Sequence, residues 1–144
     1  MGVITTWIYF GVCGIIFLLA HFLLGHKLKL YDTTKWFDKL LHVIAGGVIL
    51  VPLGAYFVRH YQPWLIATFA FFFSVALAAL WEVLEFIIDT LFKTNMQRYK
   101  DKTSSPRGAG LMDSMGDIIA QSFGATIACV VLFTLVTNGV VLFV

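Results

Sequence analysis

Four long apolar runs dominate the chain, and its polar residues gather in the stretches between them. The first, Val3 to Leu24, is interrupted by Thr5, Thr6 and His21. At 1.5 Å per residue it is long enough to cross a hydrocarbon core of about 30 Å. It has no basic stretch in front of it and is too long for a signal-peptide core, so it reads as a helix of the mature protein. His21, near its end, reads as an amphipathic ring reaching the interface rather than as a ligand. The pattern predicts helices over about 3–25, 35–58, 63–92 and 113–137, joined by polar loops 26–34 and 93–112. Thr33-Thr34 offers an N-cap for the second helix, in which Gly46-Gly47 and Gly54 allow close helix contact and Pro52 predicts a kink. Pro63 suits the first turn of the third helix, which at ~45 Å must tilt or protrude.

This pattern predicts one transmembrane domain over residues 1–144, an all-α polytopic membrane protein built as a four-transmembrane-helix bundle. Composition agrees, with 60% hydrophobic and 12% charged residues, too little charge for a soluble domain of 144 residues. A net charge of +2 gives no electrostatic footprint for nucleic acid. The basic residues report topology instead. Lys27, Lys29, Lys35 and Lys39 precede the second helix, and Lys93, Arg98, Lys100, Lys102 and Arg107 precede the fourth, against Arg59 alone on the opposite side. The positive-inside rule therefore puts both charged loops in the cytoplasm and both termini outside. Cys13 and Cys129 lie in apolar runs without metal-ligand spacing and read as small buried hydrophobes.

Against this background the acidic residues stand out. Glu82, Glu85 and Asp89 interrupt the third run and fall within about 60° of one another at helical spacing. With the predicted topology, Asp38 and His42 at the start of the second helix and Asp113 and Asp117 at the start of the fourth meet them at one membrane face. Asp38 and the Ser114-x-x-Asp117 segment each have a structural reading as helix-start anions, the latter as a capping box. The triad sits toward a helix C-terminus, where the dipole opposes negative charge, so it requires compensation. Protons, cations such as Lys39, Lys93 or Arg98, or a bound ion would supply it. Carboxylates with one imidazole suit Mg²⁺, Mn²⁺ or Zn²⁺, and Asp38, His42, Glu82, Glu85, Asp89, Asp113 and Asp117 form the candidate ligand set.

The order Asp38-Lys39-x-x-His42, then Trp81-Glu82-x-x-Glu85-Phe86, then Asp113-x-x-x-Asp117 before Gly124-Ala125 resembles the VanZ-like and YjdF-type bacterial membrane proteins. The resemblance runs from about Lys35 to Ala128 and implies a role at the cell envelope or its lipids. Thr94-Asn95-Met96-Gln97 stands where YjdF-type chains have a Gly- and acid-rich segment. No nucleophile elbow, phosphate-binding glycine loop or zinc-protease helix is present.

The leading expectation is a membrane-embedded hydrolase or transferase that binds divalent metal and acts on a lipid-linked or phospholipid substrate. Glu82, Glu85 and His42 would be its catalytic groups, and Lys39, Arg98 and Arg107 would hold an anionic head group. The alternatives are a proton-coupled carrier, a lipid-binding protein, or a scaffold using polar residues as helix-to-helix glue. Membrane lipid is the expected partner. Gly11-x-x-Gly14 and Gly46-Gly47 offer faces for a homo-oligomer and equally for packing within one chain.

Overall fold

In a computed structural model, which describes residues 2–34, 36–97 and 106–140, the chain is an all-α membrane protein with no strand among those residues. Its helices are α1 (Val3–Leu19), α2 (Leu30–Thr33), α3 (Phe37–Ile44), α4 (Val51–Phe57), α5 (Pro63–Phe92) and α6 (Pro106–Thr137). Two π-helical segments complete the spans: Ala20–Lys27 extends α1, and Ala45–Leu50 joins α3 to α4. Four stretches are long and apolar enough to cross a membrane: Val3–Gly25, Phe37–Phe57, Pro63–Phe92 and Gly110–Thr137.

Local sequence accounts for these elements. Pro63 stands at the start of α5 with Gln62 extended before it, since a proline in the first turn has no intrahelical hydrogen bond to lose. α6 already includes Pro106, so the helix extends at least seven residues ahead of the expected 113. Ser114-x-x-Asp117 is then inside the helix, and the expected capping box does not form at its start. Thr33 belongs to α2, and α3 begins after Trp36 with no side-chain cap. Gly139, with φ of 77°, turns the chain after α6.

Pro52 acts on hydrogen bonding as much as on direction. It cannot donate to the carbonyl of Val48, four residues earlier, and the preceding segment takes up π-helical bonding. The Tyr9 hydroxyl donates to that Val48 carbonyl at 2.5 Å, tying α1 to the second span at the break. On the same helix, Trp7 and Phe10 set their rings edge-on to Tyr56, and the Arg59 guanidinium lies 4.4 Å from the centre of the Tyr56 ring.

The second span, α5 and α6 form the packed centre. On α5 the buried positions fall every fourth residue, Ile66, Ala70, Ser74, Ala78 and Glu82, so one narrow stripe meets its neighbours. At the apolar end, Val51, Ala55, Ile66, Ala70, Ala125 and Leu132 make the core. The small side chains of Ala55, Ala70 and Ala125 let helix backbones approach, which is how helices associate in a solvent as apolar as themselves. The closest crossing is between the second span and α6: a Cβ on Gly46 would stand 2.5 Å from the Gln121 carbonyl, and one on Gly124 would collide with the carbonyl of Val43. α1 is the outlier, with Ile4, Ile8, Ile15 and Ile16 fully open to the surroundings.

Candidate functional site

Beyond the glycine crossing, toward the two charged connectors, the same three helices turn polar. α3 brings Asp38, Lys39 and His42, α5 brings Glu82, and α6 brings Asp113, Asp117 and Gln121. Asp113, Asp117 and Gln121 follow one another at i, i+4 and i+8, so one face of α6 presents all three inward, and all three are buried.

Lys39 lies at the centre of the carboxylates. Its ammonium donates to Asp117 Oδ1 at 2.6 Å and to the side chain and backbone carbonyl of Asp113 at 3.2 and 3.1 Å, with Asp38 at 3.9 Å. The absence of a side chain at Gly116 makes room for it, since a Cβ there would stand 3.1 Å from the Lys39 Nζ and Cε atoms. Lys39, expected to hold a head group, is thus engaged within the cluster.

His42 is fixed from behind. Gln121 Nε2 donates to the Ser74 carbonyl at 2.7 Å, which aims its Oε1 at His42 Nδ1, 3.3 Å away. That pairing is satisfied when Nδ1 carries the proton, leaving the Nε2 lone pair of the neutral ring facing the other way. There it meets Asp117 Oδ1 at 3.7 Å and Glu82 Oε1 at 3.9 Å. Glu82 is only 6% exposed, and its Oε1 is buried without a hydrogen-bond partner among the described residues. Three acceptors therefore converge on one buried space, where the Lys39 ammonium already bonds Asp117 Oδ1, and a proton or a cation between them would further relieve their repulsion.

Asp38, His42 and Asp117 each offer a ligand atom, all within 4.8 Å of one another. Two ligands bound ~2.1 Å from a tetrahedral ion stand roughly 3.4 Å apart, so these side chains would have to draw together to hold one. Gln121 is the kind of outer partner that fixes the tautomer of a metal-ligating imidazole.

The triad of α5 does not act as one face. Glu82 looks into the cluster. Glu85, one turn on and off the every-fourth stripe, accepts from Trp81 Nε1 at 2.8 Å on the side toward α1. Asp89 is buried but committed elsewhere: it accepts from the Thr94 hydroxyl at 2.5 Å and from the backbone N–H groups of Met96 and Gln97 at 2.8 and 3.0 Å. It thereby folds back the chain leaving α5, and those donors compensate its charge at the helix end. Arg98 lies outside the described residues, as does the side chain of Arg107.

Three polar residues went unpredicted. Gln121 was legible as the next i+4 step after Asp113 and Asp117, and Ser74 as a polar position on the stripe leading to Glu82. Gln97, which donates to the Ser114 hydroxyl at 2.9 Å, carried no such signal. His21, expected at the interface, is buried, with its Nδ1 2.6 Å from the Tyr31 hydroxyl.

Two openings reach the cluster from different sides of α5. One, of about 510 Å³, is lined by His42 and Gln121 among apolar residues. The other, of about 710 Å³, is lined by Glu82, Asp89 and Ser114.

No curated protein and no solved structure matches the chain. A family model described as a predicted membrane protein, DUF2238, matches residues 3–138, in accord with the four spans. With nearly its whole length matched, the chain belongs to the DUF2238 family of membrane proteins.

Proposed function

We propose that the chain binds a divalent cation through Asp38, His42 and Asp117, with Glu82 as a fourth ligand, and presents it to a lipid-linked or phospholipid substrate. The observation that carries this reading is the convergence of His42 Nε2, Asp117 Oδ1 and the unpartnered Glu82 Oε1 on one buried space. Among the described residues the Lys39 ammonium faces the carboxylates of Asp38, Asp113 and Asp117 with Glu82 beyond, and a divalent ion would add positive charge to this acidic cluster. A cation there supplies Lewis-acid polarisation of a phosphoryl or carbonyl oxygen, or a more acidic bound water. The mixed oxygen and imidazole ligands favour Mg²⁺, Mn²⁺ or Zn²⁺.

The distribution of Lys and Arg supports a site in the cytoplasmic half of the bilayer with both termini outside. The resemblance to VanZ-like and YjdF-type proteins supports lipids of the cell envelope as the source of substrate. A second reading rests on the 2.6 Å contact of Lys39 with Asp117: the ammonium is the resident cation, a proton sits between His42 and the acids, and the cluster serves proton-coupled transport.

Metal retention separates the two. Protein in lipid nanodiscs, loaded with Mn²⁺ and dialysed, should retain close to one ion per chain by elemental mass spectrometry. Glu82→Gln and Asp117→Asn should lose it, and Asp89→Asn should keep it, because Asp89 is held by Thr94, Met96 and Gln97. No retained metal in the unmodified protein would rule out the cation site.

A further inference from the structure

The 510 Å³ groove lies between α1 and the packed centre, and its polar residues gather toward the end nearer the charged connectors. On α1 and its extension, apolar Gly14 and Phe17 give way to His21. On the second span, Ile49 and Leu50 give way to His42, with Leu41 beside it, and on α5, Leu77 gives way to Trp81, with Leu84 one turn beyond. In each case the polar residue is one to two turns nearer the charged connectors. The groove is hydrocarbon-like at the bilayer interior and hydrogen-bonding toward the head groups, the same gradient that a lipid of that leaflet carries along its length.

The polar end is built rather than incidental. The Tyr31 hydroxyl and His21 Nδ1 are bonded at 2.6 Å, and the Trp81 ring stands edge-on to His21. Tyr31 reaches this position because Gly25 has no side chain: a Cβ there would collide with the Tyr31 ring. Lys27 and Lys29 are exposed at the same end. At its inner wall the groove reaches His42 and Gln121, so it shares His42 with the candidate cation site.

We infer that this groove holds one acyl chain of an anionic glycerophospholipid, entered sideways from the bilayer, with its phosphate at the His21–Tyr31 end beside His42. The inference rests on the cation-site reading and names its substrate class. α1 suits the role of the outer wall, since it is held to the second span through Tyr9 and the Trp7–Tyr56 contact near its far end. Hydrocarbon then fills an apolar groove that water would fill poorly. Lys27 and Lys29 favour a negative head group through the surface potential they create.

The test uses a phosphatidylglycerol probe with a photoactivatable diazirine in its acyl chain, at trace level in phosphatidylcholine nanodiscs holding the full chain. After illumination, adducts should concentrate on peptides carrying residues 14–18, 45–50 and 77–84. A Cβ at either Gly11 or Gly14 meets nothing within 4 Å, so both positions accept a larger side chain, but only Gly14 lines the groove. Gly14→Phe should abolish the concentrated labelling and Gly11→Phe should preserve it. Leu80→Trp, at an exposed lining position, should reduce it by a second route. Mn²⁺ retention should be unchanged in all three variants, so a failure of the groove is distinct from a failure of the cation site. Adducts spread evenly over the outward residues Ile4, Ile8 and Phe72, or labelling indifferent to Gly14→Phe, would overturn the groove. Equal labelling by a phosphatidylcholine probe would overturn the anionic head group.

Discussion

The same three helices make two different interiors on either side of the Gly46–Gly124 crossing. On one side, Ala55, Ala70 and Ala125 are each at most 1% exposed and contact their neighbours through methyl groups alone. On the other, buried positions carry Asp113, Asp117, Gln121 and Glu82. In hydrocarbon, the first interior gains from close packing and asks for nothing else, whereas the second holds charge whose desolvation its own contacts only partly offset. The difference teaches that the apolar half holds the spans together and allows the polar half to keep an arrangement that would not assemble by itself.

The sharpest way to break this comparison is at the crossing, because both halves depend on it. Gly124→Val should destabilise the protein by at least about 3 kcal/mol, since the new side chain meets backbone that cannot yield. Thermal unfolding in detergent should show it, with cation retention lost at the same time. A smaller effect is expected from Lys39→Met, about 2 kcal/mol, below the loss for a fully buried pair because the Lys39 side chain is 32% exposed. Here the two halves should part company: added Mn²⁺ should recover stability in Lys39→Met and bind it more tightly than the unmodified protein, because no ammonium competes at Asp117. If Mn²⁺ leaves that variant as unstable as before, the ammonium and the divalent ion do not share the site. The smallest effect belongs to Ser74→Ala, on the boundary, at about 1 kcal/mol. Its hydroxyl makes only long contacts, 3.5 Å to the Gly46 carbonyl and 3.4 Å from Gln121 Nε2, and its backbone carbonyl, which orients Gln121, remains. Cation retention should therefore survive.

Much of this was legible in the sequence. Run length and composition determine the four spans, because hydrocarbon leaves a backbone few alternatives to helix. Asp38, His42, Asp113 and Asp117 were identifiable as i, i+4 pairs entering from one face. The triad was harder. A spread of 60° looks like one face on an isolated helix, but α5 is packed along a stripe one residue wide, so Glu85 faces a different neighbour from Glu82. Asp89 lies two turns beyond Glu82, where the returning chain supplies its donors. Which carboxylate joins the cluster is thus decided by tertiary packing that periodicity does not encode. The early helical residues of α6 have a simpler origin: Ser, Pro and Gly mark a loop by composition, yet residues 106–112 are helical.

The Tyr9–Val48 hydrogen bond bears on how the chain is made. A carbonyl left by Pro52 without its usual donor is costly in hydrocarbon, so the second span is poorly suited to remain alone in the bilayer. The hydroxyl that relieves it arrives on the preceding span, already synthesised and joined by a short connector. Biogenesis would then favour the first two spans leaving the insertion machinery as a hairpin, with α1 acting as an internal chaperone for the helix that follows it.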